Sequence, residues 1–311
     1  MTLHLPELAE FSALPPPLDG QYVELQTDAG RIAVYRAGPQ AAGPESAAQE
    51  PPLLLVHSIN ASASAAEVAP LFNHYRRTRP VYAVDLPGYG LSDRSDRAYT
   101  PRLMTDALHA VVELIRGQCG GGPVDVLGVS LACEFVVRLH SEAPNAVRRI
   151  ALVSPTGFSG NKRRYGPPGS TRGIAWLYKL LANPVWSDGL FQALTRPGVI
   201  RYFLERSWGS KQIDEGLWRY DVLTARQPGA KNAPLYFLSA HLFSSDINSL
   251  YEAVDCRVWV SMATRGDFTD YRGRTTVEGR PNWQFHQVDA GALPYFEKSD
   301  HFLALLAPFW D

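Results

Sequence analysis

The chain has 311 residues, 45% of them hydrophobic, and a formal net charge of −1. That length fits one large α/β domain with an insertion, or two small domains, and supplies a sizeable core. Near-neutrality leaves no global field to recruit nucleic acid; no apolar run is long enough to span a bilayer, and residues 1–7 lack the basic-then-apolar order of a signal peptide. The three cysteines, Cys119, Cys133 and Cys256, are an odd set without metal-ligand spacing. Reduced thiols, no metal and a cytoplasmic location are expected.

Residues 1–20 are proline-rich and read as irregular. Residues 21–37 read as two strands around a turn at Asp28-Ala29-Gly30. Residues 38–52, rich in Ala, Gly, Pro and Glu, read as a surface loop. Apolar runs and amphipathic stretches then alternate: a strand over 53–57, a helix over 65–77, a strand over 80–86, a helix over 101–117, a strand over 124–128, a helix over 131–141 and a strand over 148–154. This alternation predicts a mostly parallel sheet with helices on both faces. The pattern breaks at Gly157 and is helical to about Tyr251. Strands resume over 258–262 and 283–288, and an amphipathic helix over 299–309 closes the chain. The expected division is a core of residues 1–158 and 251–311 with an inserted helical cap of residues 159–250.

Gly128-Val129-Ser130-Leu131-Ala132 lies where the strand over 124–128 meets the next helix, and it approaches the G-x-S-x-G nucleophile elbow. A sharp strand-to-helix turn cramps the backbone, so the residues two before and two after the serine must be small. Gly128 and Ala132 are. The Ser130 oxygen would then stand clear of the chain at the positive end of a helix, where developing negative charge is stabilised. The alternative is a serine that only caps a helix.

Four further segments join the elbow in order: Leu54-Leu55-Val56-His57-Ser58; Asp85-Leu86-Pro87-Gly88-Tyr89-Gly90-Leu91-Ser92-Asp93; Val258 to Asp267; and Gly291-Ala292-Leu293-Pro294-Tyr295-Phe296-Glu297. Together they resemble the α/β-hydrolase superfamily over almost the whole chain, from Gln21 to Asp311. The resemblance implies an α/β-hydrolase fold with Ser130 as nucleophile. It implies an oxyanion hole made by the backbone amide of Leu131 and one from Ser58 or Ile59; the family usually has glycine where Ser58 stands. Asn60 is either a further polar contact or a turn-former. Asp267 is the implied acid and Asp270 the alternative, each open to an ion pair with Arg265 or Arg272 instead. Asp85 and Asp93 are implied to be structural.

The base is missing. A serine hydroxyl is a poor nucleophile until an adjacent base takes its proton, and the family's histidine position is Ala292 here. The second histidine of that segment is replaced by Tyr295. Three explanations compete: an engineered alanine, a naturally altered member using another base or different chemistry, or a binding protein. His57 is the possible alternative base, since it ends the strand beside the elbow strand. His286 and His301 are less suitably placed, and His74, His109, His140 and His241 have no placement favouring catalysis.

Between Asn161 and Lys231 twelve basic side chains face five acidic ones, a surplus of seven. Trp176, Trp186, Trp208 and Trp218 and several other aromatics interleave. One reading is an amphipathic lid with aromatics inward. The other is an apolar pocket with a basic mouth, suited to an acyl chain with an anionic head or to peripheral membrane contact. The leading function is hydrolysis of carboxylic esters or related acyl bonds through Ser130. The alternatives are a non-catalytic ligand-binding protein, a histidine-to-alanine form of a serine hydrolase, and a cofactor-free lyase or oxygenase. No cofactor is expected, since Asp85 to Gly90 is not a G-x-G-x-x-G loop. The expected partner is an apolar or acyl-like small molecule, with no nucleic acid and no integral membrane segment.

Overall fold

The computed structural model describes residues 14–39 and 50–311. Most of the irregular N-terminal stretch, residues 1–13, and the middle of the expected loop, residues 40–49, lie outside the described residues. Eight strands form one sheet: β1 (Gln21–Thr27), β2 (Gly30–Ala37), β3 (Leu53–Val56), β4 (Val81–Asp85), β5 (Val124–Val129), β6 (Val147–Val153), β7 (Arg257–Ala263) and β8 (Trp283–Val288). Their order is β1-β2-β4-β3-β5-β6-β7-β8. The β1–β2 hairpin is antiparallel and β2 runs antiparallel to β4; every other pairing is parallel. The chain leaves β3 to one side for β4 and returns on the other side as β5. In open α/β sheets ligands bind beyond the carboxyl ends of the strands at such a reversal, here those of β3 and β5.

Helices cover both faces. Strand residues alternate between two apolar layers, so Leu54, Val56 and Val126 meet α2 (Pro101–Gln118) and α3 (Ala132–Glu142), while Leu53, Leu55 and Leu127 belong to the layer of α1 (Ala69–Tyr75). Burial on both sides explains why these strands are continuous apolar runs rather than alternating ones. The helix expected over 65–77 is two pieces, a 3-10 turn at Ala65–Val68 and then α1. Pro70 has no amide to donate into the preceding turn, so it sits in the first turn of a new helix.

Between β6 and β7 run α4 (Ala175–Leu181), α5 (Ser187–Leu194), α6 (Pro197–Trp208), α7 (Glu215–Thr224), α8 (Asn232–Leu238) and α9 (Ile247–Ala253). The chain ends in α10 (Pro294–Glu297) and α11 (Ser299–Trp310). No helix of the described residues is long and apolar enough to cross a membrane.

β5, the strand that delivers Ser130, is anchored at its start by a buried charge. Asp125 is wholly buried and accepts from Arg148 Nη2 at 2.6 Å and Nε at 2.8 Å, and from Arg79, which is also buried. The Arg79 guanidinium lies over the Trp310 ring, tying α11 to the same knot. Removing the carboxylate strands a buried cation, which costs roughly 3–5 kcal/mol. Asp125→Ala is therefore expected to lower the urea midpoint strongly, whereas Asp93→Ala, at the half-exposed turn, should cost less in the same titration.

Candidate active site

β5 ends at Val129 and α3 starts at Ala132, so the chain reverses within two residues. Ser130 makes the reversal at φ 54°, in the left-handed region. Such a conformation costs on the order of 1–3 kcal/mol and persists only where its surroundings enforce it. Here the Ser130 amide donates to Val153 O at 2.8 Å, and the Cys133 amide donates to Ser130 O at 3.2 Å. A methyl group on Gly128 would come within 3.0 Å of the Val136 side chain and 3.3 Å of the Cys133 nitrogen. Ala132, two residues after the serine, is fully buried. Ser130 itself is half-buried, and its hydrogen bonds run through the backbone, leaving the hydroxyl unpartnered among the described residues.

The Leu131 and Ile59 amides also donate to no protein acceptor among the described residues. Ser58 differs from the expectation. Its amide donates to Glu67 Oε2 at 2.7 Å and its hydroxyl to Glu67 Oε1 at 3.0 Å, so that amide is not free to hold an oxyanion. The reason is Glu67, a buried carboxylate that needs donors. Asn60 is the turn-former: Oδ1 accepts the Ser62 amide at 2.7 Å, while Nδ2 donates to Glu67 at 2.7 Å.

His57 is not a base for Ser130. The Leu86 amide donates to His57 Nε2 at 3.0 Å, which leaves the ring proton on Nδ1, 2.6 Å from Ser58 O. Both nitrogens are committed to backbone. The other described histidines are engaged elsewhere or remote: His109 with Glu142, His140 with Asp255, His241 with Ser239, His286 stacked on Trp259, His74 against Tyr75 and His301 exposed on α11.

Asp267 follows β7 as expected, but its carboxylate is exposed and forked onto Arg206 of α6, at 2.6 and 2.9 Å. Neither Arg265 nor Arg272 takes that role. Asp270 pairs with Arg272 at 2.8 and 2.9 Å and accepts the Gly160 amide. The Arg272 guanidinium holds its carboxyl well below the ordinary carboxylate range. Ala292 lies beside the elbow: its carbonyl accepts from Ser154 Oγ at 3.0 Å, and Ser154 follows the residue that receives the Ser130 amide. On its other side the Ala292 amide donates to Ser207 O at 2.9 Å, while the Asp267 amide donates to Arg206 O at 3.1 Å. The last turn of α6 is therefore capped by the two loops from which acid and base were expected. Glycine makes the approach possible, since a Cβ on Gly291 would lie 2.4 Å from Trp208 Cα and one on Gly266 2.6 Å from Ser207 O.

Two groups that matter here were not singled out from the sequence. Glu67 and Asp221 are both buried, on the 3-10 turn and on α7, which pack together. No arginine or lysine compensates either. Burial raises the Asp221 carboxyl well above its ordinary range and the neighbouring Glu67 charge adds to this; burial also raises Glu67. Asp221 Oδ1, Thr224 Oγ1 and the hydroxyls of Tyr89 and Tyr295 are buried without partners. The signal for Asp221 was its spacing, one turn after Leu217 on the inward side of α7. Glu67, in the short apolar run Ala65-Ala66-Glu67-Val68, carried none. Cys133 behaves as a small core group, with its thiol pushed up by burial and set against Gly128 O.

A family model described as alpha/beta hydrolase fold matches residues 51–187. Among solved structures, a carboxylesterase from Bacillus subtilis is 18% identical, with 94% of this chain and 92% of that chain covered at a TM-score of 0.65. An enol-lactonase from Burkholderia xenovorans is 14% identical, with 92% and 99% covered at 0.68. A meta-cleavage product hydrolase from Pseudomonas fluorescens, a serine-to-alanine mutant, is 14% identical, with 93% and 97% covered at 0.65. The chain has the α/β-hydrolase fold. At these identities the solved structures speak for the fold.

A carboxyl raised by folding keeps its proton in the native state after the unfolded chain has lost it. Its stabilising contribution is complete below the unfolded value, near pH 4, and is lost as pH climbs through the folded value. Asp221→Asn removes that loss. The variant is expected to raise the melting temperature at pH 8 by a few degrees, on the order of 1 kcal/mol, with a much smaller gain at pH 4.5. Equal gains at both pH values would mean that Asp221 is ionised throughout.

Proposed function

We propose that the chain is a hydrolase of carboxylic esters or related acyl bonds, with Ser130 as nucleophile and the Leu131 and Ile59 amides as its oxyanion hole. The observation that carries this reading is the left-handed Ser130 turn at one sheet edge, with a hydroxyl and two amides unpartnered among the described residues. The names of two structural neighbours, a carboxylesterase and an enol-lactonase, support the ester and lactone class. In the reaction the Ser130 oxygen attacks the acyl carbon and the carbonyl oxygen becomes the anion held by the amides. Collapse expels the alcohol, and water then releases the acid. With alanine at position 292, no imidazole takes the serine proton. Turnover then relies on hydroxide and on good leaving groups, within the residual catalysis of binding and hole.

A second reading is a ligand-binding protein on this fold. The Asp267–Arg206 ion pair favours it, because an acid committed to the cap surface orients no base.

Kinetics with a short p-nitrophenyl ester separate the two. Ala292→His is expected to raise kcat/KM by about 10³-fold, since triad members act as a unit. Adding Arg206→Ala, which releases Asp267, should raise it further. Ser130→Ala in the histidine background should abolish the gain. A histidine variant no faster than the parent supports the binding protein, and a gain that survives loss of Ser130 refutes the proposed nucleophile.

A further inference from the structure

Among the described residues, all the exposed large hydrophobic side chains except Phe268 lie between positions 165 and 238, within the segment between β6 and β7. The densest group is on α4 and the turn that follows it. α4 reads Ala-Trp-Leu-Tyr-Lys-Leu-Leu, yet none of its residues is fully buried. Its inner side rests on α8, where Tyr178 meets Tyr236 with ring centroids 4.1 Å apart. Its outer side carries Trp176 (68% exposed) and Leu180, four residues apart and so on one face. Trp186 joins them, since its Nε1 donates to Leu180 O at 2.9 Å, and Val185, 84% exposed, stands beside it. Two tryptophans, a leucine and a valine thus share one outward surface. A contiguous apolar surface of this kind marks an interaction site.

The charge says what covers it. Twelve basic side chains face five acidic ones from Asn161 to Lys231, on a chain of net charge −1. Lys179 sits on α4 between Trp176 and Leu180, exposed, and forms no ion pair among the described residues. Two copies meeting through this cap would bring like charges together. An anionic surface would gain from it, and tryptophan is the residue that sits at the boundary between hydrocarbon and headgroups.

We infer that the α4–α5 turn of the cap docks on anionic lipid bilayers, with Trp176, Leu180, Val185 and Trp186 entering the headgroup boundary and Lys179 pairing with lipid phosphate. This does not rest on the reading of Ser130, whose variants leave the surface unchanged. The test is co-sedimentation of the full chain with vesicles of phosphatidylcholine, with and without phosphatidylglycerol. Binding is expected only with the anionic lipid, weakening as salt is raised. The double substitution Trp176→Ser/Val185→Ser should reduce the partition coefficient by ~10-fold or more. Lys179→Glu should weaken binding without touching the apolar residues, which guards against a folding defect in the double variant; circular dichroism melts serve as the check. Absence of binding to the anionic vesicles, equal binding to neutral ones, or binding unchanged in both variants overturns the inference. So does concentration-dependent self-association, abolished by the double variant, in a protein that ignores vesicles, since the face is then an interface between copies.

Discussion

One left-handed residue sets the turn at the centre of this fold. Ser130 must turn a buried strand into a helix within two residues, and the strain is tolerable only because both flanks are held. Upstream, β5 is anchored by Asp125 and its two arginines. Downstream, α3 is seated in the core through Phe135 and Val136. The amide bond to Val153 adds β6 as a third support. The result is a hydroxyl held at the end of a helix, beside the Leu131 amide, which has no acceptor among the described residues. Since the turn lies where the strand order reverses, the same geometry that strains the backbone also places it at the sheet edge where open α/β sheets bind ligands.

Next to this strained turn the interior is unusually polar. Glu67 draws the Ser58 amide and hydroxyl and the Asn60 side chain onto itself. The loop after β3 is thereby tied into a compact knot, and of its two amides only that of Ile59 remains for a ligand. Had Ser58 been glycine, its amide would still have been claimed, because the bond is made by backbone. The Ser58 amide is withdrawn by a buried carboxylate elsewhere in the chain and not by its own side chain. Asp221 brings a second carboxyl to the same region from α7, so the packing of α7 on the 3-10 turn carries the cost of two buried carboxyls.

Strands, helices and their order were legible because apolar periodicity reports burial directly, and the elbow was legible because the small residues at 128 and 132 follow from local sterics. The 3-10 start before Pro70 shows the limit of that reading: amphipathic spacing is the same for one helix or two, and only the missing proline amide decides. Site orientation was less legible. Sequence puts Asp267 in the loop after β7, but which way its carboxylate turns depends on Arg206, 61 residues away. His57 reads as a free imidazole near the elbow until its two backbone partners, Leu86 and Ser58, are seen. In each case the deciding partner is non-local, or is a backbone group that no side-chain pattern encodes.

The end of α6 explains how position 292 can hold alanine while the surrounding loop keeps its shape. A helix leaves its last carbonyls without intrahelical donors, and something must satisfy them. Here the amides of Asp267 and Ala292 do so, at Arg206 O and Ser207 O. Both contacts are made by backbone, so they are indifferent to the side chain that position 292 carries. The glycines beside them, Gly266 and Gly291, are the residues with no freedom to change, because α6 presses directly on their Cα atoms. The loop is thus specified by what it does for α6, and the presence or absence of an imidazole is a separate variable. α6 and the two loops are joined at three points: displacing α6 breaks both capping bonds and the Arg206 fork together, and so releases Asp267.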